Sequence, residues 1–93
     1  MEKNCLTDII QGTRLNVIEW EVESDNVLTA ETLVPTGGIG QEGIYLKLIR
    51  RPNGTGSISY ELEVSDNSGN LETYSSQQSK ELLQFGKYLF MDD

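Results

Sequence analysis

Two segments with alternating apolar side chains, joined by a short turn sequence, constrain the fold of this chain more than any other feature. The segments are Ile44–Arg51 and Ile58–Ser65, and Pro52-Asn53-Gly54-Thr55-Gly56 lies between them. Alternation with a period of two is typical of a strand with one buried face, and a turn rich in proline, asparagine and glycine favours a hairpin. The sequence therefore predicts two paired antiparallel strands.

The register of this hairpin follows from which side chains must share a face. A two-residue Asn-Gly turn would place Leu48 opposite Ser59 and split the apolar face, because a one-residue slip moves every side chain to the other side. A longer loop with an odd number of residues keeps the apolar side chains together. The predicted cross-strand pairs are then Leu48 with Tyr60, Leu46 with Leu62, Ile44 with Val64 and, on the solvent side, Lys47 with Glu61.

Further strands are predicted on both sides of the hairpin. Apolar and acidic residues alternate from Arg14 to Glu23, which indicates a half-buried strand whose alternation breaks between Val17 and Ile18, where we expect a bulge or a buried start. Its apolar side is formed by Ile18, Trp20 and Val22, and its acidic side by Glu19, Glu21 and Glu23. Shorter patterns predict strands at Val27–Val34 and Leu71–Tyr74.

A helix is predicted at the C-terminal end of the sequence. Ser75 followed three residues later by Gln78 indicates a capping box, and Leu82, Phe85, Gly86 and Leu89 recur on one helical face. We expect this helix to cross the sheet, with Gly86 allowing a close approach. Residues 1–12 carry Leu6, Ile9 and Ile10 at helical spacing, with Gly12 as a stop, and predict one helical turn or an irregular lead-in.

These elements predict an α+β fold, an antiparallel β-meander of about five strands packed by one C-terminal α-helix. Parallel βαβ units are not expected, because only one strong helix is present. With 93 residues the chain fits a single domain spanning residues 1–93 and is long enough to bury a core without disulfides or metals.

Charge limits the classes of partner. Fifteen acidic against seven basic residues give a formal charge of −8, and the absence of histidine keeps that charge constant near neutral pH. We therefore expect no direct binding to nucleic acid or to an anionic membrane. The single cysteine, Cys5, excludes an intramolecular disulfide, and the start of the sequence lacks the apolar stretch of a signal peptide, so a cytoplasmic location is expected.

Catalytic and metal-binding patterns are weak. Gly38-Ile39-Gly40-Gln41-Glu42-Gly43 matches a phosphate-binding glycine motif, but strand residues follow it where a helix is required, so residues 37–43 are interpreted as an inter-strand loop. Asp66, Ser68, Asn70 and Glu72 resemble the start of a calcium loop without its glycine and final glutamate, and a plain turn is favoured. Without a histidine to serve as a base, we expect no enzyme activity, no cofactor and no metal site.

The acidic strand positions supply the candidate binding residues. Glu19, Glu21, Glu23, Glu61 and Glu63 fall on the solvent side of strands by parity, and Lys47, Arg50 and Arg51 are expected to pair across strands with Glu61 and Glu63. The leading hypothesis is a binding or inhibitory module docking on a basic protein surface, such as the nucleic-acid groove of a nuclease or regulator. The alternative is a homodimeric, larger homo-oligomeric or accessory subunit, and small-molecule binding through the glycine loop ranks last.

Overall fold

The computed structural model describes residues 5–35 and 41–92, which form seven elements in chain order. They are α1 (Cys5–Arg14), β1 (Glu21–Ser24), β2 (Val27–Pro35), β3 (Gln41–Pro52), β4 (Ile58–Asp66), β5 (Leu71–Ser75) and α2 (Lys80–Phe90). The strands form one five-stranded antiparallel sheet in the order β1-β2-β3-β4-β5. The predicted α+β meander with a C-terminal helix is confirmed, and a second helix, α1, precedes the sheet.

The register of the β3–β4 hairpin differs from the predicted one by two residues. Leu48 lies opposite Leu62 and Lys47 opposite Glu63, rather than opposite Tyr60 and Glu61. The parity is correct, so the apolar side chains share one face and Lys47 lies on the same face as Glu61. The strands extend to the Pro52–Ile58 pair, and the loop 53–57 has an odd number of residues, as predicted.

The core lies between the sheet and α2. Leu46, Leu48, Tyr60, Leu62, Leu82 and Phe85 are the largest fully buried side chains. Gly86 of α2 lies directly on the ring of Tyr60, so closely that a Cβ atom at this position would overlap the ring. The predicted close approach at Gly86 is confirmed, and Leu6 and Ile9 of α1 join the same core.

The N-terminal helix is longer than one turn, and it shortens the predicted first strand. Gly12 lies inside α1 rather than ending it, where its missing side chain leaves room for Ile18. The helix ends at Arg14, and Asn16, two residues later, has a left-handed φ of 63°. Val17 N donates to Gly12 O at 2.9 Å, and Asn16 N donates to Thr13 O at 3.1 Å. This is the hydrogen-bond pattern of a Schellman motif.

The predicted strand from Arg14 to Glu23 is therefore wrong in its bounds, because β1 begins at Glu21. The irregularity predicted between Val17 and Ile18 lies in the turn after α1, and the bulge of β1 falls between Val22 and Ser24. Ile18 is buried and Trp20 half-buried, but Val22 is 75% exposed because β1 lies at the edge of the sheet.

The start of α2 also differs from its predicted position. Ser79, not Ser75, is the N-cap, and its hydroxyl accepts from Leu82 N at 3.2 Å. Ser75 instead stabilises the preceding turn, where its hydroxyl accepts from Gln77 N. Across residues 5–35 and 41–92, neither helix has the length and apolar content needed to cross a membrane.

Candidate functional site

The face of the sheet opposite α2 forms a shallow concavity of about 660 Å³. We call this the outer face. Its lining comes from β1 to β4 and from the segment that precedes β1, and neither helix contributes to it. The lining residues include four glutamates, namely Glu19, Glu21, Glu31 and Glu63, together with Tyr45 and Lys47.

The strand registers explain how these glutamates come to share one face. Glu21 pairs with Thr29, Thr29 with Lys47, and Lys47 with Glu63, so Glu21 and Glu63 lie at the two ends of one cross-strand row. Three inter-strand spacings separate their backbones, which is about 14 Å. Glu31 lies two residues further along β2, opposite Tyr45, and adds a carboxylate to the neighbouring row.

The five predicted site residues do not form one cluster. Glu19, Glu21 and Glu63 line the outer face. Glu61 lies on the same face, but its carboxylate accepts a hydrogen bond from Arg51 at 3.1 Å, which offsets its charge. Glu23 is exposed within the bulged part of β1 and does not line the concavity.

Glu31 was missed by the sequence argument. It alternates with Leu28 and Ala30 in β2, and Leu28 is buried, so parity alone places Glu31 on the solvent side. Its position beside the other glutamates depends on the pairing of β2 with β3, which the sequence does not reveal.

The basic residues divide between the two faces. Arg51 pairs with Glu61, as predicted, whereas Lys47 lies opposite Glu63 instead of Glu61. The predicted pairing of Arg50 with these glutamates is wrong, because Arg50 has the opposite parity and lies on the core side. There it donates from Nε to Asp92 Oδ2 at 2.8 Å and from Nη1 to Asn26 Oδ1 at 3.0 Å.

Asp92 joins this polar cluster to the buried tyrosine of the core. The Tyr60 hydroxyl donates to Asp92 Oδ2, the same oxygen that Arg50 contacts. The hydrogen bond from Arg50 is the main cause that lowers the pKa of Asp92, and burial followed by the contact with Asp92 raises the pKa of Tyr60. Both shifts favour a charged Asp92 and a protonated Tyr60 at neutral pH.

The segment that resembles a calcium loop is a turn. The carboxylate of Asp66 accepts from Ser68 N, Asn70 N and Asn70 Nδ2, each at 3.0 Å, so it is engaged by the β4–β5 turn itself. The predicted inter-strand loop at residues 37–43 is wrong at its end, because Gln41 to Gly43 belong to β3 and pair with β2. Residues 37–40 lie outside the described residues.

The charge of the outer face is the main chemical property of this candidate site. Four glutamates against Lys47 give a net charge of −3 around the concavity, with Glu61 and Arg51 compensating each other.

Among the described residues, no group of three or more histidine, cysteine, aspartate or glutamate side chains is placed to hold a metal ion. No family model, curated protein or solved structure matches this chain.

Proposed function

We propose that this protein is a binding module, without catalytic activity of its own, that docks through the outer face of its sheet on a basic surface of another protein. The observation that carries the proposal is the set of four glutamates around one concavity of the sheet. Such a face attracts a cationic partner over a distance of about one Debye length and disfavours an acidic one.

The spacing of the carboxylates supports a basic protein surface rather than a close imitation of nucleic acid. Phosphates follow one another at about 3.4 Å along one strand of a duplex. Glu21 and Glu63 are separated by three strand spacings, about 14 Å, and Lys47 lies between them. Lysine and arginine side chains of a folded partner, which are long and adjustable, can match this wider spacing.

The proposal is tested with a charge variant of the outer face and a matched control. Glu31→Lys with Glu63→Gln changes the protein's net charge from −8 to −5. Asp25→Lys with Glu72→Gln gives the same net charge, but Asp25 lies in the β1–β2 turn and Glu72 on β5, outside the concavity. In affinity capture from the native cell lysate at physiological salt, the first variant should lose the partner captured by the unchanged protein, and the second should retain it.

Equal capture by both variants would show that the outer face is only a solvated surface. A further check is ionic strength, since docking steered by charge weakens steeply from low to physiological salt, mainly through the association rate.

The alternative is a homo-oligomeric or accessory subunit, which is favoured by a different observation. Val22, Tyr88 and Met91 are 75%, 54% and 87% exposed and line one groove, and apolar side chains grouped on one surface are typical of interaction sites. Self-association through such side chains should persist at high salt. Sedimentation equilibrium at low and high salt therefore separates the two functions, because a salt-resistant dimer is expected only from the alternative.

A further inference from the structure

A second groove lies beside the edge strand β1, on the core side of the sheet. It has a volume of about 420 Å³. We call this the edge groove, and its main lining residues are Ile18, Trp20, Val22, Leu28, Tyr88 and Met91. Ile18 and Leu28 are buried and form its floor, whereas Val22, Tyr88 and Met91 are the exposed apolar side chains described above.

Strand β1 borders this groove with one free side. Among the described strands it pairs only with β2, at the end of the sheet order. Successive residues of an antiparallel strand direct their backbone N–H and C=O groups alternately toward and away from the neighbouring strand. The edge therefore offers hydrogen-bonding groups to an added strand. β1 has four residues, Glu21–Ser24, and spans about 13 Å, enough to pair with about four residues of such a strand.

The two sides of this edge have different chemistry. Trp20 and Val22 face the edge groove, whereas Glu21 faces the outer face. Glu19 lines both, and Glu23 is exposed in the same strand. A strand added here would place every second side chain over the apolar groove and the others beside the glutamates. The complementary segment alternates bulky apolar residues with lysine or arginine.

A second copy of this chain does not meet that requirement. Antiparallel self-pairing centred on Val22 places Glu21 opposite Glu23, and pairing centred on Glu21 places Glu21 opposite itself and Glu19 opposite Glu23. Like charges directly opposite each other destabilise a strand pair, and each copy carries a charge of −8. Acidic side chains and a bulge at a sheet edge are common means of preventing such self-pairing.

We propose that β1 accepts an extended segment of a partner protein as a sixth strand, and that this segment carries basic residues alternating with bulky apolar ones. The inference rests on the proposed function in that both require a basic partner, but it places that partner along the free edge of β1 rather than across the outer face. Backbone hydrogen bonds supply affinity in this mode of recognition, and the alternating side chains supply specificity.

The direct test uses a synthetic heptapeptide in which lysine alternates with valine and leucine, with both ends blocked. Nuclear magnetic resonance titration should shift the amide signals of residues 19–24 and of Tyr88. A peptide with glutamate in place of lysine should lose about tenfold or more in affinity. Shifts confined to β5 or to the outer-face residues of β3 and β4 would overturn the proposal.

Backbone methylation separates strand addition from charge attraction. Two versions of the peptide carry N-methyl groups on alternate residues, one on the odd and one on the even positions, and retain every side chain. Because only one set of N–H groups faces β1, one version should lose about tenfold or more in affinity and the other should change about threefold or less. Equal binding by both versions would indicate non-specific attraction and overturn strand addition.

Variants of the protein provide the matched comparison. Val22→Ser and Tyr88→Ala remove exposed apolar side chains of the edge groove, and each should lower the affinity for the peptide about fivefold. Leu71→Ser is the control, because Leu71 is 61% exposed but lies on β5 at the opposite edge of the sheet. Peptide affinity that falls equally in all three variants would overturn the assignment to β1.

The variant Glu31→Lys with Glu63→Gln distinguishes this inference from the proposed function. Both substitutions lie outside the edge groove. If this variant captures the lysate partner normally while the peptide still binds β1, the proposed function fails and strand addition stands. If the peptide does not bind the unchanged protein, strand addition fails, whatever the capture experiment gives.

Discussion

Gly86 is the residue whose size most directly limits how α2 packs on the sheet. The Tyr60 ring below it is fully buried and stacks on Phe90 with ring centroids 5.8 Å apart, so it has little room to move. Alanine favours helix over glycine by up to about 1 kcal/mol, but here its Cβ would overlap the ring. We expect Gly86→Ala, and Gly86→Leu still more, to lower the free energy of unfolding by more than about 1 kcal/mol.

Denaturant titration measures this change. Gln84→Ala is the control, because Gln84 is exposed on the same helix and its replacement should change stability by about 0.5 kcal/mol or less. A Gly86→Ala protein as stable as the unchanged one would mean that the helix does not approach the sheet this closely.

Asp92 gives the fold a defined dependence on acid. Its pKa in the folded protein is lowered, first by the hydrogen bond from Arg50 and further by the one from Tyr60, relative to about 3.9 in an unfolded chain. A lowered folded pKa means that the stabilisation is complete above the unfolded value and is lost as the pH falls through the folded value. Asp92→Asn should therefore melt below the unchanged protein at pH 6, and the gap should narrow below about pH 4.

Melting curves from pH 6 to pH 2 test this expectation. Asp25→Asn is the comparison, since Asp25 is exposed in the β1–β2 turn. A gap between Asp92→Asn and the unchanged protein that stays constant through acid would contradict the role given to this carboxylate. Nothing in the local sequence pattern around Asp92 indicates its contacts with residues 32 and 42 positions away.

At the scale of the elements, the start of α2 depends on one serine hydroxyl. Ser79 has extended backbone angles, and its side chain accepts from Leu82 N at the end of the helix where N–H groups lack partners. Ser79→Ala should lower the free energy of unfolding by about 1 kcal/mol. Gln78→Ala should change it little, since Gln78 is exposed and precedes the cap. Comparable losses in both variants, measured by denaturant titration, would instead favour a helix that starts at Ser75.

The sequence predicted which side chains of the hairpin share a face, but not which ones are opposite each other. Parity distinguishes loops with odd and even numbers of residues, because a shift of one residue in the register moves every side chain of a strand to the other face. A shift by two residues preserves the faces, so Leu48 opposite Tyr60 and Leu48 opposite Leu62 satisfy the same pattern. The observed register extends β3 to Pro52 and places Gly56, whose φ is 91°, inside the loop.

The predicted first strand is too long because apolar and acidic residues can alternate in a segment that is not paired with another strand. Ile18 and Trp20 alternate with Glu19 and Glu21 as strand residues do, but the segment before Glu21 connects α1 to the sheet. The left-handed residue that follows α1 is Asn16, and asparagine tolerates left-handed angles better than most residues but is less common than glycine at this position. Gly12 was the stronger stop signal in the sequence, and its role is to accommodate Ile18.

On the scale of the whole molecule, three of the five predicted site residues line one surface, and the sequence could not show how they are brought together. Glu21 and Glu63 come from strands that are three places apart in the sheet, so their shared row follows from three successive registers. Glu61 was predicted as a binding residue, but Arg51 is close enough to compensate its charge. Strand parity predicts which residues face solvent, whereas the charge of a surface depends on the pairing of all its strands.

The net charge of the molecule should make its stability increase with salt. Fifteen acidic residues against seven basic ones make most pairs of charges repulsive, and folding brings them closer together. The ion pairs oppose this trend, but Arg51–Glu61 is exposed and contributes little, while Arg50–Asp92 is more enclosed and is screened less.

Raising the salt concentration from about 0.02 M to 0.5 M shortens the Debye length from about 20 Å to about 4 Å, so we expect the melting temperature to rise by a few degrees. Asp25→Lys with Glu72→Gln, at a charge of −5, should show a smaller rise, because fewer repulsive pairs remain to be screened. A melting temperature that falls with salt would mean that the ion pairs outweigh the repulsion.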